Sequence, residues 1–214
     1  MSEQRGWKRI VGGAYSAIAD NIYEPLVVQG AFRVFGKHLH DTIKLRGRRA
    51  ADLAAGKPIL DMPVGTGYFI LDTAAQHDGV VVGVDIAEGM VLEAKAAAKR
   101  AGVTNLVALR GDAHRLPFET GSFAVVLCWN GLQVIPGIEP TVVELARVLA
   151  PGGTMFVSTV NLPLGDALSD RAGRRMPPIF SGRRRFERAL TDTGLRVTAV
   201  EKDRLATIFT AEKS

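Results

Sequence analysis

A disulfide framework is excluded, because the 214 residues hold one cysteine, Cys128, inside an apolar run. A reduced, cytoplasmic protein is the simplest expectation. Ligand spacing for a metal is missing too. His38, His40, His77 and His114 are scattered and no further cysteine completes a set, so no metal is expected. No apolar run is long enough for a bilayer: the longest uncharged stretch, 120–138, contains Gly121, Asn130, Gln133 and Pro136 and reads as a buried strand plus loop. Near the start, Arg5, Lys8 and Arg9 precede the apolar residues 10–19. Gly12, Gly13, Tyr15 and Ser16 break that run, so a signal peptide is not expected. Repeats, low-complexity tracts and an internal linker are all absent, which leaves one domain over 1–214 with room for a substantial core.

The net charge of +5 is local. Residues 171–188 carry seven arginines (171, 174, 175, 183, 184, 185 and 188) against Glu187 alone, a net of +6, so the rest sums to −1. Two readings stand: a solvated charged face, or a docking surface for an acidic substrate, phosphate or carrier protein. Nucleic acid is not expected, since no aromatic-interleaved motif accompanies the arginines.

What is present is Lys57-Pro-Ile-Leu-Asp-Met-Pro-Val-Gly-Thr-Gly-Tyr-Phe69. A short apolar run ends in Asp61, a small-residue turn follows, then an apolar-periodic segment: strand, loop, helix. Gly65 and Gly67 let backbone approach a ligand without a side chain between. The next helix would aim free N–H groups at the loop, which suits a small polar or anionic ligand. A dinucleotide fingerprint fails because Ile70 holds the third glycine's place, and a P-loop fails for want of Gly-Lys-Ser/Thr.

From there strand and helix alternate, as in a parallel sheet. Strands are expected at 58–62, 80–85, 105–109, 123–128, 154–160, 195–201 and 204–212. Helices are expected at 66–77, 87–101, 138–150 (stopped by Pro151-Gly-Gly153) and 182–193. Residues 161–181, with Pro163, Pro177 and Pro178, read as a loop or short lid, and Lys202-Asp203 as a tight turn. Before the first strand, 10–54 is helical in pattern: one segment kinked at Pro25, a second over 29–39 and a third, basic and amphipathic, over 40–53.

Asp61 to Gly67 resembles the first motif of class I S-adenosylmethionine-dependent methyltransferases. Val80 to Ile86, Gly111-Asp-Ala113 with Leu116-Pro-Phe118, Phe123 to Cys128 and Arg147 to Gly153 resemble the motifs that follow, in order and spacing. The likeness covers about 57–160 and is nearest to the ubiquinone and menaquinone branch. It implies a Rossmann-like, seven-stranded, mostly parallel sheet with an antiparallel last strand, helices on both faces, a helical lid (1–54), a cofactor-binding core (55–160) and a substrate loop with a C-terminal hairpin (161–214).

The resemblance also implies S-adenosylmethionine as cofactor, S-adenosylhomocysteine as product and a small organic acceptor methylated at oxygen, nitrogen or carbon. Its site would comprise Asp61 (loop and ligand ammonium), Gly65, Thr66 and Gly67 (loop), Asp85 with Ile86 (ribose), Met90 (adenine face), Asp112 and Ala113 (adenine amino group and backbone contacts), and Trp129 and Asn130 after the fourth strand. Tyr23, beside Glu24, would close from the lid; Tyr15, Asn130 and Gln133 would face the acceptor. Pro63 stands where the family has a glycine, and removes one backbone donor. Structural readings stay open beside these: a helix N-cap for Asp85, a turn acid for Asp112 and a loop role for Asn130.

Methyl transfer from a sulfonium is an in-line displacement that asks mainly for orientation and exclusion of water. No general base is assigned, although His38 and His40 lie near the lid. His77 and His114 read as exposed. The alternative is a protein that keeps the fold without methyl transfer, cyclase-like or accessory: Pro63 favours it, whereas Gly65-Thr-Gly67, Asp85 and Asp112 favour the enzyme. A nucleic-acid methyltransferase would need an Asn/Asp-Pro-Pro-aromatic tetrad where this chain reads Cys128-Trp-Asn-Gly131.

Overall fold

The computed structural model describes residues 37–160, 165–172, 181–203 and 206–214. The helices expected over 10–28 and most of that over 29–39 lie outside these residues, as do Tyr15, Tyr23, Pro163, Arg174, Arg175, Pro177 and Pro178.

The described chain runs α1 (Lys37–Ala54), β1 (Ile59–Asp61), α2 (Ile70–Ala74), β2 (Val81–Asp85), α3 (Glu88–Ala101), β3 (Leu106–Arg110), β4 (Phe123–Trp129), α4 (Ile138–Val148), β5 (Leu149–Val160), α5 (Gly165–Ala172), α6 (Arg183–Thr191), β6 (Leu195–Asp203) and β7 (Ala206–Lys213). One seven-stranded sheet orders them β3-β2-β1-β4-β5-β7-β6. β1 pairs in parallel with β2 and β4. The antiparallel strand is β7, inserted between β5 and β6. Strand order therefore reverses at β1, between β2 and β4, and the crevice outside the carboxyl ends of such strands is where open α/β sheets take ligands.

Alternation along the strands sorts the core into two layers. Ile59, Val125, Leu127, Trp129 and Phe156 pack with Leu39 and Ile43 of α1, Ile70 of α2 and Val91 and Ala94 of α3. Leu60, Val126, Cys128, Met155 and Val157 pack on the other face with Val142 and Leu145 of α4 and Phe186 and Leu190 of α6. Both layers are continuous and fully buried, so helices flank the sheet on both sides as expected.

Several boundaries differ from the sequence reading. α1 is one helix from Lys37 through His40 to Ala54, with no break at 39–40, because Leu39, Ile43, Ala50 and Ala54 keep one buried stripe. α2 spans five residues, not 66–77: Gly65 and Gly67 hold φ of 53° and 83°, so the chain enters helical geometry only after Phe69. α4 ends at Val148, and β5 starts at Leu149 rather than after Pro151-Gly-Gly153. Residues 165–172, read as loop, form α5. Lys202 and Asp203 pair with Thr207 and Ala206 and extend β6 instead of turning.

Candidate active site

β1 ends in Asp61, and the loop that follows is built by three neighbours. Met62 N–H donates to Leu127 O at 3.0 Å, continuing the β1–β4 ladder. Val64 N–H donates to Val84 O at 2.9 Å. Gly65 N–H donates to the Asp85 carboxylate at 3.0 Å. The loop is thus tied across to the end of β2. Space for it is made by glycines: a Cβ on Gly83 would meet Val64 Cγ2 at 2.5 Å, and one on Gly131 would meet Pro63 Cδ at 2.2 Å. Pro63 therefore fits because Gly131, after β4, leaves its ring room. A Cβ on Gly67 would meet Ala94 of α3 at 3.4 Å, while one on Gly65 would meet open space.

Asp85 is the hub. Its second carboxylate oxygen accepts from Ala87 N–H at 2.9 Å, and its backbone oxygen accepts from Gly111 N–H at 2.9 Å. It is not the N-cap of α3; that position is Ala87, with extended backbone and no side-chain cap bond. Burial pushes the Asp85 carboxyl up, and the N–H groups of Ala87, Gly65 and Ile86 pull it back.

Asp112 shapes the next loop, accepting from His114 N–H at 3.0 Å. Glu144 of α4 holds that loop from behind: it accepts from Leu116 N–H at 2.7 Å and from Arg147 at 2.8 Å, and the guanidinium keeps its carboxyl below the usual range. Ala113 is buried and Ile86 half-buried. Met90 is in the first turn of α3 and fully buried.

Asp61 is 2 % exposed. Burial, then the neighbouring Asp85 charge, pushes its carboxyl well above the usual carboxylate range. Its Oδ1 has no hydrogen-bond partner, and neither do Trp129 Nε1 or Gln133 Oε1, all three buried. Alternation places Asp61 and Trp129 on the same face of adjacent strands. Buried polar atoms left unpaired are costly, so Asp61 and Trp129 on one face mark a place where a polar group is meant to sit.

Asn130 follows with φ of 52°, a left-handed backbone that asparagine tolerates. Its N–H donates to Ser158 Oγ at 2.9 Å, and Ser158 Oγ donates to Asn130 Oδ1 at 3.1 Å. Ser158, opposite Trp129 in β5, is a positioning residue that sequence reading missed; its only signal is a hydroxyl inside an apolar strand. Tyr68 was missed as well. Its hydroxyl lies 2.9 Å from His40 Nε2.

The histidines were misplaced in part. His77 is buried, with Nε2 2.9 Å from Lys57 O, and His114 is half-buried. Burial also takes the Cys128 thiol up to about 12, so it is inert at neutral pH. Among the described residues no group of three histidine, cysteine, aspartate or glutamate side chains could hold a metal, and no helix is long and apolar enough to cross a membrane.

The arginine stretch meets acids from elsewhere in the chain. Arg184 pairs with Asp170 of α5 at 2.6 Å, Arg185 with Glu139 of α4 at 3.1 Å and Arg188 with Asp170 at 3.7 Å, and Arg183 pairs with Glu187. A count along the sequence could not see Asp170 or Glu139 coming into register.

Residues 59–153 match the family described as Methyltransferase domain. Over that stretch the chain is similar to a methyltransferase domain. The demethylmenaquinone methyltransferase of Lactococcus lactis is 42 % identical over 118 residues, 54 % of this chain and 46 % of that protein. The one from Thermus thermophilus is 40 % identical over 114 residues, 51 % of each chain. The chain thus spans about half the length of these relatives. Among solved structures, a SAM dependent methyltransferase from Aquifex aeolicus aligns with a TM-score of 0.64 at 18 % identity, covering 95 % of this chain and 98 % of that one. The 4+2 cyclase SpnF aligns with a TM-score of 0.69 at 19 % identity, covering 81 % and 80 %. Likeness at that identity shows the fold and no more.

Proposed function

We propose that this protein moves a methyl group from S-adenosylmethionine to a small hydroxylated aromatic acceptor, of the class of a demethylated naphthoquinol. The observation that carries the reading is the pair of unpaired buried atoms Asp61 Oδ1 and Trp129 Nε1, on one face of adjacent strands beside a loop whose Gly65 faces open space. A buried oxygen and a buried N–H suit a zwitterion with an ammonium and a carboxylate. The acceptor class comes from the relatives named above.

In this reading Asp85 takes the ribose hydroxyls with the lone pairs left beyond its two N–H donors, Asp112 and Ala113 take the adenine edge, and Gly65, Thr66 and Gly67 carry the amino-acid end, with Pro63 shaping the turn. With α2 so short, the loop's own backbone does the work a helix N-terminus was expected to do. The cofactor supplies a methyl already activated by its sulfonium charge. Asn130, locked by Ser158, and Gln133 then orient the acceptor. The engagement of Arg183, Arg184, Arg185 and Arg188 by the chain's own acids supports a paired structural face over 183–188 rather than a docking surface there.

Incubation with methyl-labelled S-adenosylmethionine and 1,4-naphthoquinol under reducing conditions should give labelled methylnaphthoquinol and S-adenosylhomocysteine in equal amounts. The cyclase-like alternative draws on Pro63 and on the likeness to SpnF; it predicts an altered acceptor with no cofactor consumed.

A further inference from the structure

We infer that Tyr68 and His40, steadied by Asp41, form a proton relay that ionises the acceptor hydroxyl; the inference rests on the function proposed above. His40 Nδ1 lies 3.2 Å from Asp41 Oδ1 and its Nε2 lies 2.9 Å from Tyr68 Oη. A carboxylate can only accept, so Nδ1 carries the hydrogen that meets Asp41. In the neutral imidazole Nε2 then keeps its lone pair, and the Tyr68 hydroxyl donates to it. This chain of carboxylate, imidazole and hydroxyl is the arrangement by which a side chain takes up a proton.

Its position fits the task. Tyr68 directly follows Gly67, so it stands at the end of the cofactor loop. Leu39, next to His40, belongs to the buried layer that holds Trp129 and Val64, so α1 covers the face of the sheet on which Trp129 lies. The Tyr68 ring is held at 5.1 Å edge-on to Phe69 and at 5.7 Å to the His40 ring. Among the described residues, the charged groups beside it include Asp41 and Lys44 on α1 and Asp72 on α2. Lys44 Nζ sits 5.6 Å from the Tyr68 ring centroid and 3.2 Å from Asp72.

The step balances. The acceptor hydroxyl proton passes to Tyr68 Oη as the phenolic proton of Tyr68 passes to His40 Nε2. The ionised ring's carbon forms the new bond to methyl, and the carbon–sulfur bond breaks with its pair left on sulfur. The hydrogen on that carbon moves to the ring oxygen, restoring the quinol, and His40 releases one proton to water.

The test compares wild type with Tyr68→Phe and His40→Gln. Turnover of 1,4-naphthoquinol should fall about 100-fold or more in each, as expected for loss of a general base, with S-adenosylhomocysteine affinity kept within about threefold. A ring-fluorinated 1,4-naphthoquinol, more acidic, should recover most of the loss, which a merely structural role for Tyr68 would not allow. Independently of turnover, the absorbance of naphthoquinol bound with S-adenosylhomocysteine should show the ionised species in wild type and the neutral one in Tyr68→Phe. Equal spectra in the two, or equal rates, overturn the relay while leaving methyl transfer standing. A wild type that ionises naphthoquinol but makes no methylated product supports the relay and overturns the function. A wild type that does not bind naphthoquinol overturns both.

Discussion

The two halves of the sheet treat polar groups in opposite ways. At the carboxyl ends of β1 and β4, Asp61, Trp129 and Gln133 bury polar atoms with no partner. Around α6, Arg185 is just as buried, yet it is paired with Glu139 and with Ser181 Oγ at 2.9 Å. The first half leaves stability unused, and the second secures it. Unmet polar groups in a buried place are expected where a ligand completes the structure, and satisfied ones where the fold must hold by itself.

The sharpest break should come at Asp85. Asp85→Ala removes the acceptor for Gly65 N–H and Ala87 N–H together, so the loop loses its tie to β2. Affinity for S-adenosylhomocysteine should drop about 100-fold or more, at about 1.4 kcal/mol per factor of ten, measured by calorimetry. Next is Arg185→Ala, which leaves Glu139 without its cation. Because Glu139 is partly exposed, unfolding in urea should show a loss of about 3 kcal/mol, with cofactor affinity unchanged.

Asp61→Asn should do the reverse. The folded-state carboxyl is raised, so the folded protein binds more protons than the unfolded chain above the ordinary aspartate range, and stability falls as pH rises through that window. Removing the charge should raise Tm at pH 7 by about 2–4 °C and flatten its decline with pH, while weakening cofactor binding. A variant both less stable and equally competent would erase the contrast between the halves. The smallest effect belongs to Arg184→Ala: its guanidinium is 47 % exposed, so breaking its pair with Asp170 should cost under about 1 kcal/mol.

Much of the cofactor half was legible because its information is local. Asp61, Gly65, Gly67, Asp85 and Asp112 sit at or just after strand ends fixed by apolar runs, and β1 to β4 fell within one residue of the reading. What the sequence hid depends on contacts between distant segments. The room that Gly131 leaves for Pro63, the lock of Ser158 on Asn130 and the meeting of His40 with Tyr68 join positions 20 to 70 residues apart or lie across strands. The partners of the arginine stretch were hidden for the same reason, since Asp170 and Glu139 reach it only in the folded chain. The length of α2 was overread because its apolar pattern continues where Gly67, Tyr68 and Phe69 are still in the turn.

The central claim is that the unpaired cluster at β1 and β4 is completed by S-adenosylmethionine. Calorimetric titration of the wild-type protein with S-adenosylhomocysteine tests it most directly. Saturable one-to-one binding in the micromolar range, lost in Asp85→Ala and kept in Arg184→Ala, is the predicted result. No binding by the folded wild type, or binding that Asp85→Ala leaves intact, would contradict it.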